Sequence, residues 1–320
     1  MIQRCLALLA LALAFACQGA VGAGFPERPL RLIAPIPPGG SGDMIARAVA
    51  AAAAETLGQA VVVENRPGAT GNIGTAMAAK AAPDGYTLLL CSFGNCAVNP
   101  SLYRETGYDL FQDFRPVVLI ASSINVLTVG KHTGITSLQD LVARAKSANL
   151  SYASSGIGAS NHLAGELLKK QAGIDLLHVP YKGSGPAIND LLGGQVDVFF
   201  DNEPSILPFV QTGKVTAIAV TGKTRSPKLP DVPTLLEAGY ADFVIEPWYG
   251  IAVPRATPDE VVARLTSAFD AALKQEKLLQ TLRNAGFTPL GGSPDDMQAL
   301  MRREYDRWAA LIKAQGISAQ

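Results

Sequence analysis

Apolar and polar positions along this chain fall into blocks that switch between two periods. Short β-branched or leucine-rich runs at Leu30–Pro35, Val61–Glu64 and Tyr86–Cys91 predict buried strands. Between them stand stretches with helical spacing. Asp43–Leu57 is alanine-rich and closed by Gly58, and Gly74–Ala82 is stopped by Pro83. Pro116–Ala121 and Val126–Gly130 add two strands. A second alternating series follows, with a helix from Ser137 to about Ala148, a strand at Tyr152–Ser154, a helix at Asn161–Ala172, and a strand at Leu176–Val179. It continues with a helix at Pro186–Leu192, a strand at Val196–Phe200, a helix at Ser205–Thr212 and a strand at Thr216–Thr221. Thr234-Leu-Leu-Glu237 has the spacing of a capped short helix. Trp248–Val253 reads as a strand, and helices at Asp259–Leu273, Lys277–Ala285 and Asp295–Lys313 finish the chain.

This alternation predicts an α/β fold. Helix-rich ends around a middle α/β unit predict two domains, the first from residues 24–124 and 246–320, the second from 125–245. The chain then crosses between them twice, near Ile124 and near Ile245. Residues 1–23 read as a signal peptide: Arg4, an uninterrupted apolar run from Leu6 to Ala16, and small residues before Gly24. Lipidation at Cys17 is the weaker alternative, because Ala14-Phe15-Ala16 is a poor match to a lipobox. The expected location is the periplasm, and the mature chain of about 300 residues is long enough for two cores.

Charge narrows the partners. The chain carries 27 basic and 27 acidic residues, a net charge of zero, and no Lys/Arg cluster interleaved with aromatics, so a nucleic-acid partner is not expected. Any preference for a charged ligand must be local. Cys91 and Cys96 lie close enough in sequence to pair in an oxidising compartment or to remain free thiols, depending on loop geometry. No histidine completes a metal set with them, and neither metal nor cofactor is called for.

Three loops carry the candidate chemistry. Each follows an apolar run and leads into a helix: Gly39-Gly-Ser-Gly-Asp43, Ser154-Ser-Gly-Ile-Gly-Ala-Ser160, and Tyr181-Lys-Gly-Ser184. The first N–H groups of a helix have no partner inside it and carry partial positive charge. Such ends hold anions. Asp43 can bind a ligand donor or cap its helix, and Lys182 can attract a carboxylate or sit on the surface. His162 and Glu166, at i and i+4, suit a hydrogen bond better than a metal. Asp201-Asn202 ends the Val196 strand, where ligands of open α/β sheets gather. Enzyme signatures fail: there is no Gly-x-Ser-x-Gly, no His-Glu-x-x-His, and no Gly-Lys-Ser/Thr ending a phosphate loop. A secreted α/β hydrolase would need a strained serine beside a basic group.

Many stretches, in one order, resemble the Bug-type substrate-binding receptors of tripartite tricarboxylate transporters. They include Pro37-Pro-Gly-Gly-x-x-Asp43, Val63-Glu-Asn-Arg-Pro-Gly-Ala69, Asn99-Pro-Ser-Leu-Tyr103, Tyr152-Ala-Ser-Ser-Gly-x-Gly-x-Ser160, His178-Val-Pro-Tyr-Lys-Gly-Ser184 and Leu229-Pro-Asp-Val-Pro-Thr234. The resemblance implies a two-lobed periplasmic-binding-protein (Venus flytrap) architecture closing by a hinge on a small organic carboxylate. The partners implied are transporter subunits in the membrane or, alternatively, a sensor kinase, with the receptor itself a monomer. It implies that Gly39, Gly40, Asp43, Ser154, Ser155, Gly156, Ser160, Asp201 and Asn202 bind the ligand, and Ser92 and Tyr181, read from the residues themselves, complete the expected ligand-binding set. Two departures bear on specificity. Cys91-Ser-Phe-Gly-Asn-Cys96 replaces a loop that usually carries a histidine, which suggests Phe93 facing the cleft. Glu246 replaces a serine, and if it reaches the cleft it would repel a second carboxylate or bind an amine.

Overall fold

The computed structural model describes residues 24–317; the leader, with Cys5 and Cys17, lies outside the described residues. In chain order the strands are β1 Leu30–Ala34, β2 Val61–Asn65, β3 Thr87–Ser92, β4 Phe114–Ser122, β5 Asn125–Gly130, β6 Ser151–Ser154, β7 Leu177–Pro180, β8 Val198–Asn202, β9 Val215–Val220, β10 Trp248–Pro254 and β11 Thr288–Pro289. The helices are α1 Ser41–Leu57, α2 Asn72–Ala79, α3 Asn99–Leu102, α4 Leu110–Asp113, α5 Leu138–Ala145, α6 Ser160–Ala172, α7 Ser184–Leu192, α8 Glu203–Gln211, α9 Asp259–Leu273, α10 Glu276–Ala285 and α11 Pro294–Gln315.

The strands form two sheets, each the floor of one lobe. The first runs β11-β4-β10-β3-β1-β2 and the second β7-β6-β8-β5-β9. In the first, β1 pairs in parallel with β2 and β3, while β10 lies antiparallel to β3 and β4. In the second, β6 is parallel to β7 and β8, and β5 runs antiparallel to β8 and β9. Helices cover both faces of these sheets, so β10 is buried at every position, and β3 at all but its last, Ser92. That is why they read as unbroken apolar runs rather than alternating ones. The alanines of α1 serve two ends: alanine is the strongest helix former, and its small side chain lets α9 pack close. Gly58 ends α1 in the left-handed region at φ +71°.

The chain passes between the sheets twice, after β4 and before β10. The two passages run side by side. The Ser123 amide donates to the Pro247 carbonyl at 2.8 Å, and the Thr221 hydroxyl donates to the Ile245 carbonyl at 2.6 Å while accepting from the Asn125 amide at 2.9 Å.

Local departures from the sequence reading have local causes. Thr234 and Glu237 make both capping hydrogen bonds, at 3.0 and 3.2 Å, yet no helix follows. Gly239, at φ +91°, turns the chain away before a second turn can form, and one turn alone is too short to propagate. The one-turn helices α3 and α4 show no apolar period for the same reason. Cys91 and Cys96 are joined in a disulfide with their Cα atoms 5.5 Å apart. It spans the end of β3 and a single π-turn at Gly94–Val98.

Candidate ligand-binding site

A cavity of about 660 Å³ opens between the lobes, at the carboxyl ends of β1, β3, β6, β7 and β8. The starts of three helices line it: Gly40, Ser41 and Gly42 at α1, Ala159 and Ser160 at α6, and Gly183 and Ser184 at α7. Each brings N–H groups that the helix cannot satisfy internally. Ser92, Ser155, Gly156, Tyr181 and Asn202 line it as well. Apolar surface comes from Pro35, Ile36, Pro37, Pro67, Ile157 and Pro247. Lys182 is the one charged residue among the lining residues, and no carboxylate is among them.

Several expected site residues stand behind this wall. The Asp43 carboxylate accepts from the Gly39 amide at 3.0 Å, from Arg47 at 3.0 Å and from Asn65 at 2.9 Å. Burial raises its pKa, but these hydrogen bonds outweigh burial and hold the group below the ordinary carboxylate range. Asp43 thus shapes the Gly39 turn and is not itself a lining residue, and neither is Gly39. Ser154 is fully buried, its hydroxyl 2.6 Å from His178 Nε2. Asp201 is fully buried too and accepts the Ser184 hydroxyl at 2.7 Å.

Asparagine side chains orient the lining hydroxyls. Asn161 Oδ1 accepts from the Ser155 amide at 3.0 Å and from its hydroxyl at 3.2 Å, and Asn161 Nδ2 stands 2.9 Å from Ser155 Oγ, so one amide group holds the Ser155 backbone and side chain together. Asn95 Oδ1 accepts from both the amide and the hydroxyl of Ser92, at 2.8 and 2.7 Å. Asn202 spans the cleft: its Nδ2 donates to Ser41 Oγ at 2.7 Å and to Tyr249 Oη at 3.1 Å. Burial pushes the Tyr249 phenol up to about 12, so it remains a neutral hydrogen-bond partner.

A second set of contacts closes the opposite side. Thr70 Oγ1 donates to the Ile157 carbonyl at 2.7 Å, and the Tyr103 hydroxyl reaches the same carbonyl at 3.3 Å. Thr70 stands in the left-handed region at φ +49° beside Ala69 at +46°, a costly conformation for a β-branched residue. Asn99 steadies it by donating to the Thr70 carbonyl at 2.9 Å. Glycine is required opposite. A Cβ on Gly156, at φ +141°, would stand 3.3 Å from Thr70 Oγ1, and one on Gly183 would come within 2.6 Å of Pro37.

Beneath the Ser155 loop lies a stack of rings. Tyr152 stacks on His178 at 4.7 Å, and His178 on His162 at 4.4 Å. His162 Nδ1 accepts from the Gly158 amide at 3.2 Å, which fixes the turn into α6. Glu166 accepts from the Tyr152 hydroxyl and from Lys169, at 2.6 and 3.2 Å. Burial pushes both imidazoles down to about 4, so they are neutral at pH 7. No group of three or more metal-ligating side chains stands among the described residues.

The structure places the two residues that depart from the family pattern. The Phe93 ring turns into the core, edge-on to Trp308 at 5.1 Å and 3% exposed, because α11 offers it an apolar partner. Phe93 remains a lining residue, with little of its surface exposed. Glu246 accepts from the Lys223 amide at 3.2 Å and does not line the cavity. Sequence reasoning left Ser41, Thr70, Tyr103, Lys182, Ser184 and Tyr249 out of the site set. Ser41, Lys182 and Ser184 sit inside loops already singled out; nothing local marks Thr70, Tyr103 or Tyr249, which reach the cavity only through the fold.

The sequence profile of the "Tripartite tricarboxylate transporter family receptor" matches residues 45–317. The chain belongs to this receptor family. It is 37% identical to protein BugT of Bordetella pertussis over 295 residues, covering 91% of this chain and 90% of BugT. Among solved structures it is similar to an R. palustris protein with adipate, at 39% identity and a TM-score of 0.89, covering 92% of this chain and 99% of that one. MatC from Rhodopseudomonas palustris with bound malate aligns at 33% identity and a TM-score of 0.85, covering 90% of this chain and 100% of MatC. The periplasmic binding protein BugD aligns at 38% identity and a TM-score of 0.88, over 92% of this chain and 100% of BugD. The two-lobed architecture expected from the sequence is that of these receptors.

Proposed function

We propose that this protein captures a small organic carboxylate between its two lobes and delivers it to a tripartite tricarboxylate-type membrane transporter. The observation that carries this reading is the cavity itself, where three helix starts meet and Lys182 is the one charged lining residue. Unsatisfied N–H groups and an ammonium favour an anion, and no lining carboxylate opposes it. Glu246 turns away, which removes the like-charge objection to a second carboxylate on the ligand. The relatives solved with adipate and malate support a dicarboxylate of similar length.

Gly40, Ser92, Ser155, Gly156, Ser160, Tyr181 and Asn202 then contact the ligand or its bridging waters. Gly39, Asp43, Ser154 and Asp201 hold that wall in shape. The reading is binding without chemistry. Ser154 and His178 touch as a nucleophile and base would, but Ser154 is sealed from the cavity and does not line it. The leader directs the chain to the periplasm, where it works as a monomer.

A thermal-shift screen over mono-, di- and tricarboxylates, followed by calorimetry, tests the reading. One chemical group of acids is expected to raise the melting temperature, because a ligand that binds only the folded state stabilises it. A panel in which no acid shifts melting or gives binding heat would end the proposal.

A further inference from the structure

Asp201 is the penultimate residue of β8, with its carboxyl sealed from solvent. Oδ1 accepts the Ser184 hydroxyl at 2.7 Å, and Oδ2 has no hydrogen-bond partner. Ser184 opens α7 and lines the cavity. A carboxyl group one hydroxyl removed from an anion site has two states with opposite consequences. Ionised, it only accepts, so it draws the Ser184 proton inward and leaves Oγ lone pairs toward the cavity. Protonated, it donates to Ser184 Oγ and releases the serine proton to point at a ligand. Lone pairs repel an anion, whereas an O–H holds one.

We propose that Asp201 is a positioning residue that takes up one proton from solvent when an organic anion enters the cavity, converting Ser184 from acceptor to donor. The inference rests on the carboxylate reading above. No covalent bond other than the new O–H on Asp201 forms or breaks.

The surroundings favour this exchange. Across the sheet, β5 faces Asp201 with Val126, and α6 supplies Ser160 and Asn161, none of them titratable in this range. The nearby ionisable groups are Glu203 at the start of α8, Tyr249 across the cleft, Lys182 before α7, and the His162–His178 pair beneath the Ser155 loop. Glu203 is buried, which raises its own pKa, and is bonded to the Ser226 hydroxyl; Tyr249 is neutral, and both histidines stay neutral above about pH 4. No basic side chain offsets the Asp201 charge, and burial lifts the group to about 7, which puts both states within reach near neutrality.

Calorimetric titration of the full chain with adipate and with malate, between pH 6 and pH 9, tests the proposal. Both acids are fully ionised over the upper part of this range, so their own protonation does not mimic the effect. Affinity is expected to fall as pH rises through the Asp201 titration, approaching tenfold per pH unit, as linkage to one proton requires. At pH 8 the binding heat is expected to differ between phosphate and Tris by the ionisation heat of up to one proton. Asp201→Asn, whose amide donates to Ser184 at every pH, flattens the profile and abolishes the uptake. Ser184→Ala, with Asp201 in place, reduces both, and it decides the matter should the Asp201 variant not fold. Binding by the wild type with neither pH slope nor buffer dependence overturns the proposal and leaves the carboxylate reading standing. A slope that persists in both variants assigns the proton elsewhere and also overturns it. If neither these two acids nor the wider panel binds at any pH, the proposed function falls and this inference falls with it.

Discussion

Thr70 and Ile157 join the two lobes: the Thr70 hydroxyl, on the loop after β2, donates at 2.7 Å to the Ile157 carbonyl, on the loop after β6. The contact closes one side of the cleft, as Asn202 with Ser41 and Tyr249 closes the other. Both contacts are made by protein groups of the two lobes, so they stabilise the lobes in this arrangement directly. Thr70→Val keeps shape and backbone strain but removes the donor. The loss of one hydrogen bond of about 1 kcal/mol shifts the population toward the open form and weakens ligand affinity about fivefold. Small-angle scattering should give a larger radius for the unliganded variant than for the wild type.

Ser155 is a lining hydroxyl held in place by the Asn161 amide. Ser155→Ala should cost about 1 kcal/mol of binding, roughly fivefold, with melting nearly unchanged. Gly156→Val should cost more, because it meets Thr70 and takes a backbone angle that suits glycine. Unchanged calorimetric affinity in both variants would remove this loop from the site.

Lys182 is the one charged residue that lines the cavity. Lys182→Met should slow association and lower affinity several-fold, and the gap between variant and wild type should narrow as salt rises. A gap that is insensitive to ionic strength would mean that the lysine acts by shape alone.

The buried histidines give the fold an acid-side weakness. Imidazoles ordinarily titrate near 6.5, whereas burial holds His162 and His178 at about 4. Between those values the unfolded chain binds protons that the native state refuses. Stability from these groups is therefore full above pH 6.5 and is lost as pH falls toward 4. Asp201 acts in the opposite sense. Its raised value means that the native state holds a proton which the unfolded chain has released, so its contribution is lost as pH rises through 7. Denaturant melts at pH 5 and 7 should show His162→Gln losing less stability on acidification than the wild type.

The disulfide closes a loop of only six residues, Cys91 to Cys96, so chain entropy assigns it about 2 kcal/mol. Ser92, Phe93 and Gly94, all lining residues, lie inside that loop. Reduction, or Cys96→Ser, should lower the melting temperature and weaken binding together. Lower stability with intact affinity would separate the cross-link from the site.

Much of this molecule was legible in its sequence because strands buried on both faces and long alanine-rich helices leave strong local patterns. The runs at Leu30, Val126 and Trp248 gave their strands within one or two residues, and α9 was found at both ends. The glycine–serine loops marked three sides of the cavity, since unsatisfied helix N–H groups need those residue types wherever they occur. What stayed hidden is non-local. Tyr103 reaches the cavity from a one-turn helix, Thr70 from a loop whose strain only the opposite lobe explains, and Tyr249 from an otherwise apolar strand. The surroundings of Phe93 and Glu246 were not legible either, because their neighbours, Trp308 and Lys223, are distant along the chain.

The paired passages at Ser123 and Pro247 limit how the halves of this receptor can travel. Bodies tied by one thread can swivel and slide. Tied by two adjacent threads that are themselves hydrogen-bonded, they swing about a single line, like a book on its spine. Whatever acid is caught, the outer rims then meet in the same alignment, and a partner reading that alignment needs no knowledge of the cargo.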